Sequence, residues 1–213
     1  MHRSARLCLL LLALTLPGLA PAALITLSDN LSQSKDGTRV VDFFYSRAQG
    51  FSTTGSAFRL TDVALQLARA IDTGGNLLVS IFNNSGTDGT PGAKMADVAT
   101  VAASALGTSS ALYDIPNLSI TLTPSTSYFL VLSGAGLTDG MVFWDYTAST
   151  SGTGFPSARN SAELDSWGSN SMTNPQQMRI LAEETAVPEP ATLALFAIGL
   201  AGLAARRAAR RRC

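Results

Sequence analysis

Short apolar runs in which every second residue is apolar recur along the middle of the chain, and they limit the folds that it can adopt. Such alternation places apolar side chains on one face of a β-strand. Alternation predicts strands at 63–68 and 119–122, and the nearly continuous apolar run at 77–82 is typical of a strand covered on both sides. The strongly β-forming segments 128–132 and 141–146 and a closing segment at 177–181 are also predicted strands, while 93–106 is ambiguous between strand and helix. Clusters rich in Gly, Asn, Ser and Pro separate them. Many short strands predict one all-β domain, a β-sandwich with jelly-roll-like connections.

The first 22 residues are typical of a secretory signal peptide. Basic residues precede an apolar run at 7–16, and helix breakers follow that run. Ala20 and Ala22 form the A-x-A pattern that precedes a cleavage site. The run is short for a membrane span, which needs about 20 residues. The sequence therefore predicts cleavage after residue 22 and export of a β-sandwich domain at 23–182.

The end of the chain holds three features in a fixed order. A linker at 183–190 contains Val187, Pro188, Glu189 and Pro190. An apolar segment at 191–205 follows, and then an arginine-rich end at 206–213 with Arg206, Arg207, Arg210, Arg211 and Arg212. An apolar segment followed by dense arginine stops transfer and keeps the basic end in the cytoplasm. The sequence therefore predicts a C-terminal transmembrane helix at 191–205 with a cytoplasmic arginine-rich end.

These three features resemble the PEP-CTERM sorting tail of Gram-negative bacteria that produce exopolysaccharide. The resemblance implies that a membrane exosortase removes the helix and the basic end near Pro188, Glu189 and Pro190. It implies export by the secretion machinery, an inner-membrane intermediate and then transfer to the cell surface or the extracellular matrix. The simpler alternative is a permanent membrane anchor with the domain outside the cell.

A second resemblance concerns the middle of the chain. The run Phe51–Phe58 leads to the segment LTDVALQL. Further along the chain lie the segments GNLLVSIFNN, GTPGAKMADVATV and LTPSTSYFLVLSG. These segments are similar to choice-of-anchor domains of the R type, over about residues 40–145. The resemblance implies an extracellular β-rich module, and it supplies no catalytic residues.

The middle of the chain lacks both histidine and cysteine. The histidine is His2, and the cysteines are Cys8 and Cys213, all in the terminal segments. This excludes a histidine-dependent triad, a Cys-His dyad, a zinc site with nitrogen or sulfur ligands and an internal disulfide within that middle part. From Ala23 to Ala186, eight basic residues stand against fourteen acidic ones. Nucleic acid is therefore not an expected partner, because its phosphates require basic patches.

Trp144, Asp145 and Trp167 are the candidate ligand-binding residues. In sugar sites an aromatic ring stacks on the sugar while a nearby polar group accepts hydrogen bonds from its hydroxyl groups. For Trp144 the more common alternative is packing in the core. For Trp167, in the polar stretch SWGSNS, capping the sandwich is as reasonable as facing a ligand.

The loop from Asn83 to Gly92 offers oxygen ligands of the kind that calcium takes. It has a single carboxylate, that of Asp88, and lacks the regular D-x-D-x-D-G spacing. A hairpin loop with turn-forming Asn and Gly is therefore favoured, and Asp29 with Asp36 makes an equally weak case for calcium. The sequence predicts no cofactor and no metal site.

Enzymatic activity is not expected. A glycosidase needs two carboxylates on either side of the sugar, and nothing in the pattern places any two of Glu163, Asp165, Glu183 and Glu184 opposite each other. The sequence predicts a non-enzymatic surface or exopolysaccharide-matrix protein. The alternative is a carbohydrate-binding module that recognises extracellular polysaccharide, which requires exposed aromatic side chains over a flat or concave polar face.

Overall fold

The computed structural model describes residues 23–154, 158–163, 166–167, 174–185 and 207. In these ranges the chain is all-β, as the sequence predicted. The strands are β1 (Leu24–Asp29), β2 (Gly37–Val41), β3 (Arg47–Ser52), β4 (Phe58–Arg69), β5 (Gly74–Asn83), β6 (Lys94–Ala102), β7 (Ala111–Ile115), β8 (Ile120–Leu122), β9 (Ser127–Asp139), β10 (Val142–Tyr146), β11 (Ala158–Glu163), β12 (Ser166–Trp167) and β13 (Met178–Glu184). Short 3-10 helices lie at Thr87–Gly89 and Ala103–Ala105.

Each of the six predicted strands falls on an observed one, namely β4, β5, β8, β9, β10 and β13. The ambiguous segment 93–106 forms β6 followed by a 3-10 turn. The apolar pattern makes no prediction for β1, β2, β3, β7, β11 and β12. In β2, β3 and β7, residues such as Gly, Arg, Gln or Asp interrupt it.

The strands form two antiparallel sheets. The first has the order β1-β13-β4-β10-β2, and β7 and β8 also pair with β4. The second has the order β12-β11-β3-β9-β5-β6. Consecutive strands lie in different sheets at β2 and β3, β3 and β4, β4 and β5, β6 and β7, β8 and β9, β9 and β10, β10 and β11, and β12 and β13. This order supports jelly-roll-like connections, which stay a prediction.

A single apolar core lies between the two sheets. The first sheet contributes fully buried side chains such as Leu65 and Trp144, and the second contributes Ile81 and Leu130. Burial of each such side chain stabilises the fold by about 1.5–3 kcal/mol. Because residues 23–186 contain no cysteine, this core and the sheet hydrogen bonds carry the stability of the domain.

The last described strand, β13, lies in the interior of the first sheet. It pairs with β1 along one edge and with β4 along the other. It includes Glu183 and Glu184, and Thr185 continues the pairing by donating its N–H to the carbonyl of Ala57 at 2.9 Å. The strand thus continues past residue 182, and Glu183 forms an ion pair with Arg59 of β4.

Buried polar side chains fix the segment that leads into β13. Asn30, which follows β1, donates through Nδ2 to the carbonyl of Gln176 at 2.9 Å and accepts from the N–H of Met178 at 2.8 Å. From β3 in the other sheet, Gln49 Oε1 accepts from the N–H of Gln176 at 2.9 Å. These three hydrogen bonds are buried, so water does not compete for them. They connect the start of β13 to both sheets.

We predict that β13 is required for folding. A chain that ends after Thr185 keeps a cooperative unfolding transition, whereas one that ends after Gln177 loses it. Without β13 the facing edges of β1 and β4 are unpaired and the core is open, which costs more than a domain stability of about 5–15 kcal/mol. Urea denaturation followed by far-ultraviolet circular dichroism compares the two chains, and cooperative unfolding of the shorter one would contradict this account.

We also predict that Asn30→Ala lowers the free energy of unfolding by about 2–4 kcal/mol, because it leaves two buried backbone groups without partners. The matched control is Asn84→Ala, on an exposed residue, with an expected change below about 0.5 kcal/mol. Chemical denaturation of both variants measures the difference. Equal effects would show that the bonds of Asn30 do not stabilise the fold.

Candidate functional site

Trp144 lies in the core of the domain. Its side chain is 0% exposed, and Nε1 donates to the carbonyl of Gln177 at 2.9 Å. No face of the ring is open to a sugar, which corrects the assignment of Trp144 to a ligand site. The core role that the sequence left open is the one that the structure shows for this residue.

Asp145 points to the opposite face of β10 and is also fully buried. Its Oδ1 lies 2.9 Å from Lys35 Nζ, and its Oδ2 accepts a hydrogen bond from Ser110 Oγ. These contacts join β10 to the β1–β2 loop and to the segment before β7. They engage the carboxylate within the fold, so Asp145 cross-links three segments and is not presented to a ligand.

Trp167 is partly buried on the outer face of the second sheet. It packs against Ala48, Phe129 and Val131. Trp144 faces the core and Asp145 the outer side of the first sheet, so the structure does not bring the three candidates together. For Trp167, capping and ligand binding both stay predictions.

The loop from Asn83 to Gly92 is closed by its own side chains. Asn83 Oδ1 accepts from Ser85 Oγ at 2.7 Å and from the N–H of Ala93 at 2.9 Å. Asp88 adopts the left-handed conformation with φ of 55°, which is typical of a turn. This geometry corresponds to the hairpin loop that the sequence favoured over a calcium site.

The other aspartates considered for calcium also bond to backbone groups, Asp29 within its own turn and Asp36 to the segment after β10. Asp29 Oδ1 accepts from the N–H of Leu31 at 3.0 Å, and Asp36 Oδ2 accepts from the N–H of Ala148 at 2.7 Å. Within the described ranges, no group of three or more His, Cys, Asp or Glu residues is arranged to hold a metal ion.

A different surface, which the sequence analysis missed, exposes three consecutive aromatic side chains. Phe43, Phe44 and Tyr45 lie between β2 and β3 and are 52%, 64% and 41% exposed. Large apolar side chains clustered in this way on a surface mark binding sites in many proteins. We call residues 42–46 the aromatic loop. Its sequence signal is the run Asp-Phe-Phe-Tyr-Ser, in which aromatic residues are neither alternating nor mixed with polar ones.

Asp42 holds the aromatic loop in a tight turn. Its Oδ1 accepts from the N–H groups of Phe44 and Tyr45, both at 2.8 Å, and its own N–H donates to the carbonyl of Tyr45 at 3.1 Å. The rings of Phe43 and Phe44 meet edge to face, with centroids 5.4 Å apart and planes at 89°. The loop therefore presents the rings in a defined arrangement.

Arg47 supports the aromatic loop from the side. Its guanidinium lies 5.5 Å from the centre of the Tyr45 ring, and its Nε donates to the carbonyl of Val40 at 2.8 Å. Burial, and next the neighbouring Arg39, lower the pKa of Arg47 from its usual value, while Asp42 opposes this shift. An arginine remains charged at neutral pH, so this cation is held in place by the fold.

A groove of about 230 Å³ lies between the aromatic loop and the end of β9. It is lined by Asp42, Phe43, Phe44, Leu137, Thr138, Asp139 and Gly140. The lining combines two rings with two carboxylates and a hydroxyl. Such a mixture suits a ligand that has both an apolar face and polar groups.

Both walls of the groove are fixed by close backbone contacts. A Cβ atom at Gly134 in β9 would overlap the backbone carbonyl of Asp42. Gly140 has a φ of 69° and lies against Thr73, whose Oγ1 accepts from the N–H of Met141 at 3.1 Å. The groove is therefore built into the fold.

Most of the predicted features of the two termini lie outside the described residues. They are the signal peptide at 1–22, the residues Val187 to Pro190, the helix at 191–205, and Arg206, Arg210, Arg211 and Arg212. In the part of the chain that the structure describes, no helix is long and apolar enough to cross a membrane.

Comparison with known proteins identifies the end of the chain. Residues 186–212 match the family model of the PEP-CTERM protein-sorting motif. No curated protein matches the chain. The matched motif is the recognition signal for an exosortase, and it implies a protein that is exported and processed at the membrane for delivery to the cell surface.

Proposed function

We propose that this chain is a non-enzymatic protein of the cell surface or the exopolysaccharide matrix of a Gram-negative bacterium, sorted by an exosortase. The observation that carries this proposal is the match to the sorting motif at 186–212, directly after the end of the folded domain. Within the described ranges, the backbone hydrogen bond nearest the sorting motif is made by Thr185. Export therefore places the whole β-sheet domain outside the cytoplasm.

The position of the motif is compatible with processing of a folded domain. Cleavage near Pro188 to Pro190 removes no strand, because β13 ends at Glu184. Two residues, Ala186 and Val187, lie between Thr185 and Pro188, and an extended chain spans at most about 3.6 Å per residue. The domain therefore stands close to the membrane while the predicted helix at 191–205 is still embedded.

The absence of enzymatic activity is part of the proposal. It is supported by the lack of histidine and cysteine between residues 23 and 186. Among the carboxylates considered for glycoside hydrolysis, Glu183 pairs with Arg59, and the side chains of Glu163 and Asp165 lie outside the described part. The proposal that residues 40–145 form a choice-of-anchor domain is supported by the β-rich structure of that segment.

Recognition of extracellular polysaccharide is the second candidate function. It is favoured by the aromatic loop, which supplies exposed aromatic side chains beside a concave, partly polar groove. This is the kind of surface that the carbohydrate-binding alternative requires, at a place other than Trp144 and Asp145.

We predict that the mature protein ends within 188–191 in cells that have their exosortase. Mass spectrometry of the protein from surface and medium fractions measures the end directly. In a strain without the exosortase, the mass includes the helix and the arginine-rich end. A protein that keeps its tail in both strains would contradict sorting and would indicate a permanent membrane anchor.

A pair of variants compares the processing of a protein changed inside the motif with that of a protein changed in the neighbouring strand. Glu189→Ala abolishes most of the processing, because the substitution changes the matched motif, and Glu184→Ala, in β13, is processed normally. The two proteins are compared in the strain with its exosortase. Equal processing of both variants would show that Glu189 is not recognised.

A further inference from the structure

The aromatic loop exposes apolar surface that the fold could have buried. Phe43, Phe44 and Tyr45 are each more than 40% exposed, although aromatic side chains usually contribute large buried areas. The loop is not loose, because Asp42 and Arg47 fix its backbone and one of its rings. A fixed and exposed group of rings beside a groove indicates a binding site.

We infer that this groove binds an uncharged sugar unit of a polysaccharide, with the ring of Phe44 stacking on the sugar and Asp42 and Asp139 accepting hydrogen bonds from its hydroxyl groups. The inference rests on the proposed function, since an exported domain is the one that meets such a polymer. It differs from the site that the sequence suggested at Trp144 and Asp145.

The rings provide the apolar half of the site. The ring planes of Phe43 and Phe44 are perpendicular. The two residues therefore present the flat face of one ring beside the edge of the other. One side of a sugar ring consists mainly of C–H groups, and such a side packs against an aromatic face. Stacking removes apolar area from water and stabilises the complex.

The carboxylates provide the polar half of the site. An ionised carboxylate only accepts hydrogen bonds, and sugar hydroxyl groups donate them. Asp42 Oδ1 is used by the turn, which leaves Oδ2 as its free acceptor. Within the described residues, Asp139 forms no ion pair. Both side chains line the groove and are available to hydroxyl groups.

Charge determines the class of sugar. The lining includes two carboxylates and no basic residue, and the middle of the chain carries more acidic than basic residues. A uronic acid or a sulfated sugar would bring its negative charge next to Asp42 and Asp139, and that repulsion is unfavourable. Arg47, the cation that contacts the aromatic loop, is directed to the carbonyl of Val40 and the ring of Tyr45. An uncharged sugar avoids this cost.

The fixed geometry also favours binding. Gly134 allows Asp42 to lie against β9, and Gly140 allows the tight turn at the end of β9. A groove that needs no rearrangement loses less conformational freedom when a ligand binds. A volume of about 230 Å³ is below that of a typical pocket for a drug-sized molecule, which agrees with one sugar unit of a longer polymer.

The test is a binding measurement on the mature protein purified from surface fractions. Biolayer interferometry compares a neutral panel, consisting of a glucan, a mannan, a galactan and a polymer of N-acetylglucosamine, with the anionic polymer alginate. At least one neutral polymer binds, and alginate binds at least tenfold more weakly. Phe44→Ala weakens binding about tenfold, by loss of one stacking contact. Asp139→Asn weakens binding severalfold, because its amide group is a poorer acceptor than the carboxylate.

Two further substitutions at the same position distinguish a sugar from an apolar partner. Phe44→Trp keeps a stacking face and keeps binding, whereas Phe44→Leu keeps apolar bulk without a ring and loses binding as Phe44→Ala does. Leu112→Ala, at a side chain that is 47% exposed on β7, is the matched control and has no effect. Thermal unfolding of each variant checks that the fold is retained.

Several results would overturn the inference: no neutral polymer of the panel binds, alginate binds as tightly, or Phe44→Leu binds like the unchanged protein. Binding to neutral phosphatidylcholine vesicles, or self-association in sedimentation that Phe44→Ala abolishes, would assign the rings to a lipid surface or to a second copy instead. Correct processing of the tail in a protein that binds no sugar would refute this inference alone. Sugar binding by a protein that keeps its tail would refute the sorting proposal alone.

Discussion

The hydrogen bonds around Gln176 to Met178 are the constraint on which the rest of the structure depends. They bring β13 between β1 and β4 and tie its start to β3 in the other sheet. The carbonyl of Gln177 also accepts from the indole of Trp144 in β10. Since β10 pairs with β2, and the aromatic loop follows β2, the candidate site is supported by this buried network. In a domain without disulfides, such bonds and the core must hold distant segments together.

The same arrangement relates folding to sorting. A sheet whose interior strand ends at Glu184 cannot be completed until that residue has crossed the membrane, and the sorting motif begins at residue 186. The domain is therefore complete only when the tail is reached. Removal of the tail afterwards takes no strand from the sheet. The order of the elements along the chain thus allows a folded domain to be released without loss of stability.

Part of this structure could be predicted from sequence and part could not. The strand around Leu65 could be predicted because its alternation reflects burial on one face, and the strand at 77–82 because its continuous apolar run reflects burial on both faces. The alternation around Trp144 does not say which face is inside, so a core residue was taken for a ligand candidate. Gln49 interrupts the apolar pattern of β3, because its partner is the distant Gln176. The groove was missed because it joins residues 42–44 to the end of β9, and no local pattern records that contact.

The most direct test of this account is native-state hydrogen exchange of the amides of Gln176, Gln177 and Met178 in the mature protein. If these residues hold β13 in the sheet, their amides exchange only through global unfolding, with a free energy equal to that from denaturant unfolding. If they exchange at a much lower free energy while the amides of β4 stay protected, then β13 opens by itself, and the claim that this segment holds the domain together is wrong.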